Sequence, residues 1–255
     1  MLNKFKQHQF LFEELVKRDF KKKYKRTILG MFWSVLSPLL TLLVMSLVFT
    51  QFFGHTIPHY TIYLFAGTVI FHYFSDSTNT GMTALIGNAG IFTKVNVPKY
   101  LFLFSQNVST LINFGLTLLV FFIFVAIDGL LITWKYLLLI YPVVCLVMFN
   151  VGCSLVLSAL FLFFRDMQYL WGVISRLIMY LSAIMYDIQA FPLPTQYLFY
   201  LNPIYVYIYY FRKIVIESSV PAGWVHLLAG FYAVAILGAG FWIYKKYNHK
   251  FLYYV

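Results

Sequence analysis

Long apolar runs separated by short polar segments dominate the sequence. Segment 28–53 carries no charged residue, and five further apolar runs follow it. A helix needs about 20 apolar residues to cross the hydrocarbon core of a bilayer. The pattern therefore predicts an all-α integral membrane protein with six transmembrane helices, at 28–53, 60–86, 101–127, 136–164, 168–187 and 223–244.

The first 27 residues follow a different pattern. Between residues 9 and 26, apolar side chains recur at every fourth position and lysines occupy the remaining surface. The recurring residues are Phe12, Val16, Phe20 and Tyr24. This spacing is typical of an amphipathic helix that lies in the membrane interface. We therefore expect two parts: a cytoplasmic interface helix within 1–27, and a single transmembrane domain at 28–255.

Segment 188–222 is apolar but interrupted by four prolines. It could be a seventh span, or a re-entrant hairpin that returns to the side from which it came. With a cytoplasmic N-terminus and six spans, 15 basic residues lie inside and three outside, as the positive-inside rule requires. A seventh span would place the basic tail at 245–250 outside. The charges favour an outer re-entrant hairpin, which must be covered by protein or line a wet cavity and so indicates a gate.

Composition excludes an ordinary soluble domain, because 62% of the residues are hydrophobic and only 11% are charged. The net charge of +11 does not indicate a nucleic-acid partner, since nine of the 19 basic residues lie in 1–27, beside the first apolar run. That run is too long for a signal peptide and is expected to remain as the first span. Cys145 and Cys153 would lie about 12 Å apart on one helix, too far for a disulfide, so we expect packing roles.

Few residues offer catalytic or metal-binding chemistry. The sequence has no P-loop motif, and His55 and His59 lack a third ligand nearby. Asp76 and Arg176 are ionisable residues within predicted spans. They indicate either a functional site or a mutual or backbone-satisfied pair that holds the bundle together. So few carboxylates disfavour an ion-coupled carrier.

Aromatic residues make up 21% of the chain, more than the belts at the two membrane interfaces require. Aromatic faces stack on the apolar faces of sugars, and tyrosine hydroxyls bond to the sugar edges. For any single ring, packing against lipid is the favoured explanation. As a group, the rings indicate an aromatic-lined route for a glycan.

Residues 15–40, LVKRDFKKKYKRTILGMFWSVLSPLL, resemble the opening signature of permease subunits from bacterial polysaccharide-exporting ABC transporters. The family includes O-antigen, teichoic acid, capsule and rhamnose-polysaccharide exporters. The matching residues are Arg18-Asp19, Tyr24, Leu29-Gly30, Trp33 and Pro38. Further similar segments follow in the same order along nearly the whole chain: 87–98, Phe164-Arg165-Asp166, Asn202-Pro203 and Phe211-Arg212.

The resemblance implies a half-transporter in the bacterial cytoplasmic membrane, with both termini in the cytoplasm. Its partners would be a second copy of itself and two copies of a separate ATPase subunit. ATP and Mg would bind to that ATPase, so no cofactor is expected in this chain. The substrate would be a lipid-linked glycan, typically on undecaprenyl diphosphate.

The sequence and the resemblance together assign candidate residues to three sites. The translocation pathway would use Phe32, Trp33, Arg176, Tyr180 and Tyr186. The gate would use Phe191, Asn202, Pro203, Tyr207, Phe211 and Arg212. Segment 87–100 would couple the permease to its ATPase through Asn88, Ile91, Phe92, Lys94 and Pro98, with Lys94 and Lys99 in water.

Two other functions remain open at this point. A drug or small-solute exporter of the same fold would share most of these features. A polyprenyl-phosphate glycosyltransferase would need clustered Asp and Glu residues, whereas the eight acidic residues are scattered along the chain.

Overall fold

The computed structural model describes residues 2–24, 30–54, 57–92, 97–247 and 251, and in these ranges the chain is helical and has no strand. The helices are α1 (Leu2–Tyr24), α2 (Trp33–Phe53), α3 (Tyr60–Gly87), α4 (Ala89–Phe92), α5 (Tyr100–Ile127), α6 (Ile140–Phe163), α7 (Met167–Tyr180), α8 (Leu193–Phe199), α9 (Pro203–Val215) and α10 (Gly223–Tyr247). Short 3₁₀ turns occupy Gly30–Phe32, Trp134–Leu139 and Ile188–Ala190. The predicted all-helical class is confirmed.

Four helical stretches in the described ranges are long and apolar enough to cross a membrane: α2, α5, Trp134–Phe163 and α10. They correspond to the predicted first, third, fourth and sixth spans. The predicted second span forms α3, a 28-residue helix that does not belong to this group, because its middle is polar.

The predicted fifth span, 168–187, is wrong in its length. Helix α7 ends at Tyr180 after 14 residues, and so extends only about 21 Å. The next residues turn instead, and Ala183 adopts a left-handed conformation with φ +48°. One side chain of α9, Arg212, donates hydrogen bonds to two carbonyls of this turn, those of Ala183 and Ile184.

Two sets of contacts define the ends of the helix bundle. At one end, which we name the terminal end, Leu15 of α1 belongs to a buried cluster with Leu85, Phe102, Leu162 and Tyr244. The helix α1 and the last turns of α10 therefore lie at the same end.

At the opposite end, the start of α3 meets the end of α5, where His59 contacts Asp128. Nearby, Tyr141 Oη donates to the His226 carbonyl at 2.7 Å, and Lys135 Nζ donates to the Ser218 carbonyl at 2.6 Å. Helices α3, α5, α6 and α10 run between these two ends.

Close packing of α6 on α10 depends on glycine. A Cβ atom at Gly152 would lie 2.6 Å from the Leu237 backbone nitrogen, a distance that real Cβ atoms do not adopt. Small residues allow such close approach between helices in membranes. This contact fixes α10 against the centre of the bundle.

Helices α8 and α9 form a hairpin, residues 193–215, beside α10. Tyr207 Oη donates to the Ala229 carbonyl at 3.0 Å, and Tyr232 Oη donates to the Tyr200 carbonyl at 3.0 Å. Helix α9 therefore runs antiparallel to α10. The tip of the hairpin lies beside Tyr232, about 13 Å along α10 from Gly223. Helix α8 contributes no buried residue, so the tip reaches this depth at the surface of the bundle, while the end of α9 is at the opposite end.

Candidate functional site

A polar cavity of about 530 Å³ lies between α2, α3 and α5. Its lining combines Trp33 of α2 and Asp76 of α3 with hydroxyl, amide and imidazole side chains and three apolar residues: Ser34, Ser37, His72, Tyr73, Thr110, Asn113, Thr117, Pro38, Val69 and Phe114. Two predicted site residues, Trp33 and Asp76, are thus brought together. A ring, a carboxylate and several neutral polar groups form a surface suited to a polyhydroxyl ligand.

The polar run at 75–80 in α3 serves two purposes. Ser77 Oγ donates to Asn107 Oδ1 of α5 at 2.5 Å, and Thr78 Oγ1 accepts from Trp171 Nε1 of α7 at 3.2 Å. These two side chains are buried and hold helices together. Asp76 lies on another face of α3 and lines the cavity instead.

Asp76 and Arg176 do not share a site. Arg176 lies on an exposed face of α7, and α7 contributes no residue to the polar cavity. These two charges therefore do not form a mutual pair in the described part of the chain.

The other predicted pathway residues lie outside the polar cavity. Phe32 is 77% exposed and Tyr180 is 61% exposed. Tyr186 packs edge-on against Phe191 and Phe199. The structure thus separates Trp33, which lines the cavity, from rings on α7 and on the segment that follows it.

Among the predicted gate residues, Arg212 is an internal anchor. It is buried and stacks on the Tyr63 ring, with its Cζ 3.3 Å from the ring centre. Its guanidinium donates to three carbonyls: Tyr63 at 3.0 Å, Ala183 at 2.8 Å and Ile184 at 2.9 Å. These bonds offset the cost of burying a charge and tie α9 to α3 and to the turn after α7.

The remaining gate residues contribute mainly to packing. Tyr207 and Phe211 are fully buried. Asn202 caps α9 by accepting from the Ile204 N–H at 3.0 Å and donates to Ser182 Oγ at 2.8 Å, and Pro203 follows as the first residue of α9. Phe191 is 39% exposed.

A polar network joins α1 to the end of α3. Arg18 Nη2 donates to Asp19 Oδ1 and to Asn88 Oδ1, both at 2.6 Å. Ser105 Oγ of α5 donates to Asp19 Oδ2 at 2.9 Å. Asp19 and Asn88 are buried, so this network fixes α1 beside the predicted coupling segment.

The predicted coupling segment includes one helical turn, α4. Ile91 packs against the cluster at the terminal end, and Phe92 is the last residue of α4. Pro98 lies just before α5, and Lys94 is outside the described residues.

The expectation that Lys99 lies in water is wrong. Its residue surface is only 9% exposed, and its Nζ is 5.5 Å from the centre of the Phe251 ring. Burial lowers the pKa of this ammonium group below its ordinary value. The side chain is therefore part of the packing at the terminal end.

Sequence reasoning missed the role of Asp19 and Tyr63. A signal for Asp19 was present, because it follows Leu11 and Leu15 at a spacing of four and therefore shares their face of α1. A charged residue on an apolar face needs a partner. Nothing in the sequence pairs Tyr63 with Arg212, which are 149 positions apart.

Residues 11–216 match the sequence model of a family described as ABC-2 type transporter. The chain is 26% identical to an O-antigen export system permease protein, RfbA, of Klebsiella pneumoniae, over 95% of each chain. It is 30% identical to an RfbA of Myxococcus xanthus, over 72% of this chain and 71% of the relative. It is 24% identical to the polysialic acid transport protein KpsM of Escherichia coli, over 83% of each chain.

Proposed function

The chain belongs to the ABC-2 type transporter family, and we propose that it is the membrane subunit of a bacterial polysaccharide exporter. It is a permease and not an enzyme; separate ATPase subunits bind ATP and Mg and supply the energy. The observation that carries the proposal is the polar cavity, in which Trp33 and Asp76 lie among hydroxyl, amide and imidazole side chains. The relatives that export O-antigen and transport polysialic acid support a glycan as the cargo.

The substrate is a lipid-linked glycan, typically on undecaprenyl diphosphate. Its apolar tail stays in the bilayer while the sugar chain passes along a polar, aromatic surface. Two copies of the permease form the pathway. Large apolar and aromatic residues that are uncovered in one chain could meet the second copy or lipid; among them are Phe32 just before α2, Leu47 of α2 and Tyr180 of α7.

The terminal end of the bundle faces the cytoplasm, and the chain crosses the membrane six times. Helix α3 is the second crossing, and α7 with the following turn is the fifth. Hairpin α8–α9 is the re-entrant gate, since its tip lies about 13 Å along α10 from Gly223 and α9 returns to the opposite end. The concentration of basic residues around α1 supports this orientation.

Single cysteines at Ser218 and Asn248 test the topology. An impermeant thiol reagent should label them from opposite sides of the membrane in right-side-out and inverted vesicles. Cys145 and Cys153 are both buried and are replaced by alanine in the background. Labelling of both new cysteines from one side would contradict six spans.

Force from the ATPase enters at the terminal end. The coupling segment, including α4 and Asn88, contacts the ATPase and transmits its movement. Because Asn88 is bonded to Arg18, and Asp19 is bonded to Ser105, a displacement of α4 moves α1, α3 and α5 together. The gate at the opposite end then responds through α3, which Arg212 joins to α9.

Deleting the gene in its host tests the export function. The deletion strain should accumulate lipid-linked glycan on the inner leaflet and lose glycan from its surface, and the wild-type gene should restore it. Normal surface glycan in the deletion strain would contradict the proposal. A drug exporter of the same fold would instead change drug resistance and leave the glycan unaltered.

The glycosyltransferase hypothesis finds no support in the described ranges, where no three His, Cys, Asp or Glu side chains are grouped as a metal site. In the deletion strain, a glycosyltransferase defect would reduce the amount of assembled lipid-linked glycan. An exporter defect would raise it, so one measurement of the lipid pool distinguishes the two functions.

A further inference from the structure

A second polar cavity, which we name the tyrosine pocket, lies at the opposite end of the bundle between α3 and hairpin α8–α9. Its volume is about 230 Å³. Drug-sized ligands usually occupy pockets of about 300–1,000 Å³, so this pocket suits a smaller molecule, such as one sugar ring. Four tyrosines contribute to its lining: Tyr63, Tyr200, Tyr205 and Tyr209.

The tyrosine rings are held in place before any ligand binds. Tyr200 packs edge-on against Tyr205 and Tyr209, with ring centres 5.2 and 5.6 Å apart. Tyr63 is fixed by Arg212 on its face and by a bond from its hydroxyl to the Tyr186 carbonyl at 2.8 Å. A preformed aromatic wall reduces the entropy lost on binding.

Amide and carboxylate groups lie beside these rings. Gln196 Nε2 donates to the Phe191 carbonyl at 2.9 Å, which orients the rest of its amide group. Asp187 Oδ1 accepts from the Gln189 N–H at 3.1 Å. Carboxylates and amides provide the acceptors and donors that sugar hydroxyls require.

The charges around the tyrosine pocket balance. Its two acidic residues, Asp187 and Glu217, match its two basic residues, Arg212 and Lys213. Lys213 is paired with Glu217, and Arg212 is occupied by three carbonyls. With no excess positive charge, the pocket favours a neutral ligand over a phosphate group.

We propose that the tyrosine pocket binds one neutral sugar residue, with its ring against Tyr209 and its hydroxyls bonded to Gln196 and Asp187. The inference rests on the proposed function, since it identifies the cargo at this point as the glycan rather than its diphosphate or lipid. The pocket would hold the emerging chain at the outer end of the gate hairpin. It is separate from the polar cavity, with which it shares no lining residue.

Ligand-observed saturation-transfer NMR on the full permease–ATPase complex in nanodiscs tests the pocket. The probes are galactose, mannose, rhamnose and N-acetylglucosamine at millimolar concentration, with inorganic phosphate as an anionic probe. At least one neutral sugar should bind saturably, and Tyr209→Leu should weaken that binding about fivefold through loss of a stacking ring. Tyr209→Phe, which keeps the ring, should retain most of it.

Matched variants keep the test decisive. Tyr197→Leu removes an exposed tyrosine of α8, 69% exposed, that does not line the pocket, and it should leave binding unchanged. If Tyr209→Leu fails to fold, Gln196→Ala should still weaken sugar binding, since it removes a polar group of the lining.

Three results would overturn the proposal: no neutral sugar binds, phosphate displaces the sugar, or folded Tyr209→Leu and Gln196→Ala variants both bind as the wild type does. Surface glycan measured in cells with the same variants separates this proposal from the general function. Export by the wild type without sugar binding would reject the pocket alone. Absence of any permease-dependent export would reject the exporter function.

Discussion

Replacing Arg212 should lower the stability of the folded protein, because this residue anchors the fold and does not act on the cargo. The guanidinium is buried and donates to the carbonyls of Tyr63, Ala183 and Ile184. One buried polar group left without its bond costs about 1–3 kcal/mol. In Arg212→Met the Tyr63 carbonyl keeps its bond within α3, and the Ala183 carbonyl keeps the Tyr63 hydroxyl at 3.4 Å. The Ile184 carbonyl loses its donor, so we expect a loss of about 1–3 kcal/mol.

The lysine variant adds a second comparison. Arg212→Lys keeps the charge, but one ammonium group cannot reproduce the fixed fork of a guanidinium. We expect it to be destabilised as well, with a value between those of the wild type and Arg212→Met. The neighbouring change Lys213→Met is the control, because Lys213 is only partly buried and its ion pair with Glu217 lies at the surface.

Thermal unfolding of the purified variants, followed by loss of the folded fraction on size exclusion, measures these effects. Arg212→Met should unfold several degrees below the wild type, and Lys213→Met should unfold close to it. If Arg212→Met unfolds at the wild-type temperature but abolishes export, Arg212 acts directly on the cargo and our anchoring argument is refuted.

Three further predictions concern packing, coupling and the pathway. Gly152→Ala should disrupt the contact of α6 with α10 and lower the unfolding temperature. The control Gly115→Ala should not, because no atom lies within 4 Å of its added Cβ. Equal unfolding temperatures for the two variants would contradict the packing argument. Changing Ile91 and Phe92 together to Asp should release the ATPase in pull-down assays, since an apolar anchor often contributes about 2 kcal/mol or more to binding. Recovery of an intact complex with normal export would place the coupling surface elsewhere. Single alanine changes at the four predicted pathway rings, Phe32, Trp33, Tyr180 and Tyr186, should slow export only severalfold, at about 1–1.5 kcal/mol per stacking ring. Unchanged export in a variant that lacks all four rings would refute this pathway.

Much of the fold follows from the apolar pattern. Segments without charge over 20 or more residues became α2, α5 and α10, because the pattern that requires lipid also requires a helix. The amphipathic segment became α1 because its apolar residues recur at the spacing of a helix. Its spacing of four also places Asp19 on the buried face. The partners of this part of α1, Ser105 for Asp19 and Asn88 for Arg18, are known only from the structure.

The end of α7 could not be predicted in the same way. Apolar residues continue through 181–186, so the pattern alone extends the helix. The chain turns there because a distant arginine, Arg212, satisfies the carbonyls that a longer helix would have used. Hydrogen bonds between residues so far apart in the sequence leave no periodic signal in it.

The candidate site was predictable by residue type more than by position. Asp76 and Trp33 were identified from their chemistry, and they lie in one cavity. Lys99 was expected in water because it is a lysine in a connecting segment, and Arg212 was assigned to the gate by the family resemblance, yet both are buried. In each case, an aromatic ring faces the cation, Phe251 for Lys99 and Tyr63 for Arg212, and such cation–π contacts form only in the folded chain.

Reconstituted transport tests the central proposal most directly. The permease and its partner ATPase are placed in vesicles, purified lipid-linked glycan is supplied on the side that holds the ATPase, and its appearance on the other side is followed with an impermeant lectin. The account predicts translocation that requires ATP and stops when the ATPase is inactive or the permease is omitted. Glycan that stays on its original side while the intact complex hydrolyses ATP would contradict it.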